Sequence, residues 1–215
     1  MVEEDVRDKS IRGRKPLSLR DMSFVSALKV YTTFPLRGFM TDVRDARDKG
    51  YVSGVPHFSL VSIYMSKAEM TEVLDRLITL YSLPLREIET KFAVDSIGFT
   101  ISKFTDYRVE KHNMKRERQW VKANLICGVE TNIITTAKIS NQHSADTKYF
   151  HELVERTHKN GFDIKEVSAD KAYSSRENIG YVGMIGGIAY IPFKFRTSGK
   201  ARGSLTWKNI INIES

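Results

Sequence analysis

The sequence contains one cysteine, Cys127, among 215 residues. A single cysteine cannot form an intrachain disulfide or a zinc site built from several thiolates, so disulfide-rich and zinc-cluster folds are excluded. This cysteine usage is typical of a protein in a reducing compartment, and we expect a cytoplasmic location.

Long hydrophobic runs are also missing. No stretch approaches the roughly 18 to 20 apolar residues that a membrane helix needs, and the acidic start Met-Val-Glu-Glu-Asp does not resemble a signal peptide. We therefore expect no membrane partner and no export. The G-x-x-x-x-G-K-[ST] phosphate loop is absent as well, so we expect no nucleotide cofactor.

Positive charge is abundant. The formal net charge is +8 and the isoelectric point is about 9.5, which favours a polyanionic partner such as DNA, although a generic basic surface gives the same numbers. One segment concentrates this charge after residue 100: Lys103, Arg108, Lys111, His112, Lys115, Arg116, Arg118 and Lys122.

The region 1–88 shows helical periodicity. A first helix is predicted from Ser18 to Thr33, and a second ends near Gly50, a residue type that commonly terminates helices. Their predicted inward-facing residues are Phe24, Ala27, Leu28 and Tyr31 in the first helix and Phe39, Val43 and Ala46 in the second. After Pro56, a third helix is predicted around Leu60, Ile63 and Tyr64.

A fourth helix is predicted between Ser66 and Pro84, with Ser66 and Glu69 as a capping box. Its apolar stripe is predicted to be core: Met70, Val73, Leu74, Leu77, Ile78 and Tyr81. The helical region is compatible with a helix-turn-helix that binds DNA, or with a small bundle whose arginines are solvated. The basic residues concerned are Arg37, Arg44, Arg47 and Lys49.

From Glu89 the hydrophobic period changes to two, which is typical of strands. A strand containing Asp95 is followed by a hairpin with its turn at residues 130–132. A helix then places Phe150, Leu153, Val154 and Thr157 inward and ends at Gly161. This helix leads to a strand that ends at Asp170, which implies parallel addition to the sheet, and a further strand covers 187–193. Residues 89–215 therefore predict an α/β domain with a mixed sheet and flanking helices, preceded by an all-helical region at 1–88.

Asp95 and Asp170 are the candidate site residues. Aspartate is depleted from strands, because its short side chain competes for backbone hydrogen bonds, yet each of these residues closes an apolar run. Two neighbouring carboxylates repel each other unless a cation lies between them, and Mg²⁺ or Mn²⁺ would serve. Spacing alone leaves open whether they bind a metal or simply face water at strand ends.

Four segments, taken in order, resemble the insertion-sequence transposases of the DDE superfamily. They are the stretch Gly13-Arg14-Lys15-Pro16, the stretch Arg37-Gly38-Phe39-Met40, the strand Ala93-Val94-Asp95-Ser96 and the run Ser168-Ala169-Asp170-Lys171-Ala172-Tyr173. The resemblance implies a ribonuclease H-like core with three carboxylates that hold two Mg²⁺ or Mn²⁺ ions. It also implies that double-stranded DNA at the ends of a mobile element is the partner, while a homo-oligomer stays open.

The resemblance assigns Asp95 and Asp170 to the first two acids of the triad. For the third, Glu214 stands in a similar tetrapeptide, but the family carries this acid on a longer helix. We therefore interpret the chain as C-terminally truncated, or as lacking an internal segment, and in both cases we expect it to cut DNA poorly. The alternatives are a catalytically dead fragment that only binds DNA, and a stand-alone nuclease of the same fold.

Overall fold

The computed structural model describes residues 17–100, 120–141 and 143–194. The chain divides into two compact units, Met1–Leu74 and Asp75–Ser215. None of the helices within these described ranges is both long enough and apolar enough to cross a membrane. The division between 88 and 89 that we expect from the sequence stays a prediction.

The first unit is helical, as predicted. Helix α1 spans Leu19–Thr32, α2 spans Leu36–Asp48, α3 spans Phe58–Met65, and α4 begins at Ala68 and ends at Ser82. The α2 terminus confirms the predicted glycine stop. Gly50 has a φ of 79° and donates to the carbonyl of Arg47. Tyr51 donates to the carbonyl of Ala46, so the helix ends in a Schellman motif.

The predicted inward face of α1 is wrong. The helix buries Met22, Ser23, Val25 and Ser26, whereas Tyr31 is 85% exposed. Serine can be buried here because its hydroxyl bonds to the carbonyl four residues earlier, Ser23 to Leu19 at 2.7 Å and Ser26 to Met22 at 2.7 Å. Apolar periodicity missed this face because half of its members are polar.

Two predictions for α4 are also corrected. The Ser66 hydroxyl donates backward to the carbonyl of Ile63 at 2.9 Å and so belongs to the end of α3, not to a capping box on α4. Along the predicted core stripe, Met70 is buried, but Leu74, Leu77 and Tyr81 are 38%, 46% and 79% exposed. Met70 packs in the buried cluster of the first unit, and the helix continues past the division at residue 75.

The second unit contains a five-stranded mixed sheet with the order β3-β2-β1-β4-β5. The strands are β1 Lys91–Thr100, β2 Trp120–Gly128, β3 Ile134–Asn141, β4 Glu166–Ala169 and β5 Ile188–Tyr190. Strands β1, β2 and β3 form antiparallel pairs, while β4 is parallel to both β1 and β5. This arrangement confirms the predicted α/β class and the mixed sheet.

One face of the sheet carries the core of this unit. Helix α5 (Thr147–Lys159) and helix α6 (Arg176–Met184) supply part of the buried cluster, together with Phe92, Ile126 and Val167 from the strands. All four inward residues predicted for α5 are buried, and Gly161, with a φ of 89°, follows the end of the helix as expected.

The core of this unit packs against one face of β2. Val121, Ala123, Leu125 and Cys127 alternate with the residues that face α5, and Ile126 is the strand residue that enters the core. Both faces of β2 contain apolar side chains, so periodicity alone could not choose between them.

Candidate metal centre and its surroundings

Asp95 and Asp170 lie on neighbouring parallel strands at matching positions. In the β1–β4 register, Val94 is opposite Ala169, and each aspartate is the next residue along its strand direction. Because side chains alternate between faces, both aspartates project from the face opposite the core that contains Phe92 and Val167. Adjacent strands are about 4.8 Å apart, so the register places the two acids side by side.

Each carboxylate is oriented by a local backbone amide. Oδ1 of Asp95 accepts from the amide of Ser96 at 2.7 Å, and Oδ1 of Asp170 accepts from the amide of Ala172. The second bond makes Asp170 the cap of a short 3₁₀ helix, Lys171–Tyr173. Both side chains are exposed, so the pair is open to a ligand from solvent.

The sheet face around the two acids is largely apolar. Ile97 and Phe99 follow Asp95 on β1 and are 47% and 53% exposed. Leu125 pairs with Asp95 across the β1–β2 register, and Cys127 pairs with Ala93 on the same face. Burial raises the pKa of the Cys127 thiol, and the nearby charges of Asp95 and Glu89 raise it further. Cys127 is half-buried on this face.

Tyr173 is the last residue of the 3₁₀ helix that follows Asp170, and its side chain is part of the core. The residue is 1% exposed, and its ring packs against Phe150 with a centroid separation of 5.9 Å. Burial is the main cause that raises the pKa of Tyr173 to about 12, and the charges of Asp146, Asp95 and Asp170 also raise it. Interaction with the Ser96 side chain lowers this pKa and partly opposes the other effects. The hydroxyl nevertheless makes no bond of full hydrogen-bond geometry, so the contact with Ser96 falls short of one.

Lys122 belongs to an ion pair. Its ammonium group lies 2.6 Å from the carboxylate of Asp146, and the two side chains are only 15% and 22% exposed. It also donates to the carbonyl of Ser144 at 3.3 Å. Lys122 is the last member of the basic segment in the sequence, where no motif indicates Asp146 as its partner. The signal that was available is the position of Asp146 immediately before α5, where acidic residues are common.

Several predicted residues fall outside the described ranges. Glu214 does, as do all members of the basic segment before Lys122. Across residues 17–100, 120–141 and 143–194, no group of three or more acidic, histidine or cysteine side chains is arranged to hold a metal ion. The structure thus brings two of the three predicted acids together and does not bear on the third.

The basic residues predicted for the helical unit are exposed. Arg37 lies over the ring of Phe58, with 4.8 Å between the guanidinium carbon and the ring centroid, and Arg47 pairs with Asp48 at 2.7 Å. Arg44 and Lys49 are also on the surface of this unit. These positions agree with the predicted exposure of the basic side chains, whereas their role in DNA binding stays a prediction.

Comparison with known proteins finds transposases. A family model described as the transposase DDE domain matches residues 87–197. Among solved structures, the Drosophila P element transposase strand transfer complex matches with a TM-score of 0.41 and 9% identity, over 83% of this chain and 42% of that chain. The piggyBac transposase synaptic complex with hairpin DNA matches with a TM-score of 0.41 and 10% identity, over 91% and 46%.

This chain spans less than half the length of either of those two transposases. The family match covers more than half of the chain and includes both Asp95 and Asp170. The chain therefore belongs to the family of transposases with a DDE domain.

Proposed function

We propose that this chain is the transposase of an insertion sequence, which cleaves and joins phosphodiester bonds at the ends of the mobile element. The observation that carries this proposal is the β1–β4 register, which gives Asp95 and Asp170 matching positions on one face of the sheet. Family membership implies that the chemistry uses a divalent metal.

The residues present fit such a metal. Carboxylate oxygens are the ligands that Mg²⁺ and Mn²⁺ prefer, and two exposed carboxylates on adjacent strands form a concentrated negative site. Bound metals would supply an activated water or 3′-hydroxyl nucleophile and stabilise the leaving oxygen. Asp95 and Asp170 would hold the metal, with Glu214 the candidate for a third ligand.

Double-stranded DNA at the element ends is the proposed substrate. The net charge of +8 favours a phosphate-rich partner. The exposed basic side chains of α2 offer contacts to the phosphate backbone, which would position the helical unit without reading sequence.

Metal binding by the purified chain tests the proposal. We expect isothermal titration calorimetry to detect Mn²⁺ binding that Asp95→Ala and Asp170→Ala each abolish. Asp163→Ala is the matched control, because this exposed aspartate lies in the loop before β4 and pairs only loosely with Lys165 at 3.7 Å. Mn²⁺ binding that survives both site substitutions would contradict the proposed metal centre.

Glu214 requires its own test, since it lies outside the described residues. Metal-dependent cleavage that both Asp95→Ala and Glu214→Ala abolish would assign Glu214 as the third acid. Cleavage that Asp95→Ala abolishes and Glu214→Ala leaves unchanged would exclude it.

A further inference from the structure

The turn from Asp170 to Ser174 determines where the second aspartate points. Asp170 is the last extended residue after β4, and the 3₁₀ helix Lys171–Tyr173 begins immediately after it. The Asp170 carboxylate accepts the amide hydrogen of Ala172 inside this turn. Any rotation of the turn would therefore move the carboxylate as well.

Two side chains from other elements donate hydrogen bonds to backbone carbonyls of this turn. The hydroxyl of Thr147 donates to the carbonyl of Ala172 at 2.5 Å. The side-chain amide nitrogen of Asn178 donates to the backbone carbonyl of Tyr173 at 2.9 Å and to that of Thr147 at 3.4 Å. These hydrogen bonds join α5, α6 and the turn.

Both side chains are anchored in packed helices. Thr147 is the first residue of α5. Asn178 lies in the first turn of α6, where its backbone amide donates to the Ser175 hydroxyl at 3.1 Å. Asn178 is 2% exposed, and Ile179 beside it is fully buried. The buried ring of Tyr173 fixes the far end of the turn. We call the side chains of Thr147 and Asn178 the clamp. Through these hydrogen bonds the packed helices restrict the motion of the turn that contains Asp170.

We propose that Thr147 and Asn178 are positioning residues that hold the Asp170 carboxylate in its metal-binding orientation. This inference rests on the proposed metal role of Asp170. Neither residue is a proposed metal ligand, and each would act through the backbone carbonyls of residues 172 and 173. Groups that hydrogen-bond directly to a metal ligand typically contribute about 10- to 100-fold to metal affinity, so we expect the lower end of this range for contacts made through the backbone.

Substitution of Thr147 separates the hydroxyl from the shape of the side chain. Thr147→Val keeps the volume but removes the donor, whereas Thr147→Ser keeps the donor. Thr157→Val is the matched control on the same helix, because the Thr157 hydroxyl, 2.8 Å from that of Thr135, makes a buried contact away from the turn. Asn178→Ala removes the other half of the clamp and provides a second variant if one fails to fold.

Two measurements are made on each variant: Mn²⁺ affinity by calorimetry, and hydrogen exchange of the amides in residues 171–174. We expect Thr147→Val to weaken Mn²⁺ binding by about 10-fold and to speed exchange in the turn. Thr147→Ser should restore both values, and Thr157→Val should change neither. Asn178→Ala should act in the same direction as Thr147→Val.

Unchanged exchange in the turn of both Thr147→Val and Asn178→Ala would overturn the clamp, whether or not metal binds. Faster exchange with unchanged Mn²⁺ affinity would overturn the positioning role, provided that Asp170→Ala abolishes binding in the same assay. If Asp170→Ala leaves Mn²⁺ binding intact, the proposed metal centre fails, and the positioning role fails with it. Asp170→Ala thus distinguishes the two failures.

Discussion

At the scale of single residues, the site combines two exposed acids with a buried phenol. Asp95 and Asp170 remain open to solvent, while the Tyr173 hydroxyl lies behind them without a full hydrogen bond. A buried hydroxyl that lacks a partner costs about 1 to 3 kcal/mol relative to one that is paired. The buried ring of Tyr173 therefore stabilises the core, whereas its hydroxyl contributes little to the free energy of unfolding.

We predict that Tyr173→Phe leaves the free energy of unfolding unchanged or raises it by about 1 kcal/mol at neutral pH. Tyr64→Phe is the control, because the buried Tyr64 hydroxyl accepts from the amide of Leu17 at 3.1 Å and donates to its carbonyl at 3.2 Å. Tyr64→Phe should lower the free energy of unfolding by about 1 kcal/mol. Urea denaturation checks both variants, and an equal loss in both would show that Tyr173 has a bonding partner.

Alkaline pH should also act through Tyr173. Its folded-state pKa is raised from 10.0 to about 12, so above pH 10 the unfolded chain loses this proton while the folded chain keeps it. The stability contributed by this group is therefore complete below pH 10 and is lost as the pH rises from 10 to 12. We expect urea midpoints of the wild type to fall more steeply over that range than those of Tyr173→Phe. Parallel curves for the two proteins would contradict the raised pKa.

At the scale of elements, a buried glutamate holds the turn between β2 and β3. Glu89 is fully buried, and its carboxylate accepts from the amides of Glu130 and Thr131 at 3.2 and 2.9 Å and from the Thr131 hydroxyl at 2.8 Å. Gly128 lies against this carboxylate, and a methyl group there would overlap it. The hairpin therefore needs both the acid and the glycine.

We predict that Gly128→Ala lowers the free energy of unfolding by about 1 to 3 kcal/mol, because the Glu89 carboxylate must leave its three donors. Gly180→Ala is the control, since a methyl group there meets no neighbouring atom. The double variant Glu89→Ala/Gly128→Ala should cost less than the sum of the two single changes, since both remove the same contact. Strict additivity in chemical denaturation would refute this account of the hairpin.

At the scale of the whole molecule, the excess of positive charge predicts salt-sensitive DNA binding that does not require metal. Each phosphate contact contributes a slope of about −0.9 to the plot of log affinity against log salt concentration. We predict that Arg44→Gln reduces the magnitude of this slope by about 0.9 on an element-end duplex. Lys159→Gln is the control, because Lys159 is already paired with Glu155 at 2.8 Å. Fluorescence anisotropy measures both slopes, and affinity that does not vary with salt would remove DNA from the proposed partners.

Local pattern predicted most of the elements. The four N-terminal helices, the hairpin, α5 with its inward Phe150 and Leu153, and the parallel strand that ends at Asp170 all follow from periodicity and from turn residues. These features depend on residues close together in sequence, so the amino-acid sequence alone predicts them. The two candidate acids were found in the same way, as polar residues that close apolar strands.

Contacts distant in sequence decided the rest. Ser23 is a buried residue of α1 whose hydroxyl lies 3.6 Å from the sulfur of Met70, 47 residues later in the chain. The clamp of Thr147 and Asn178 on the Asp170 turn depends on how α5 and α6 pack. The sequence by itself thus determined the fold class, the family resemblance and the pair of acids, because local pattern and motif order encode them. Only the tertiary structure decided which faces are buried and what holds the second aspartate, because side-chain partners far apart in the chain are chosen when the elements pack together.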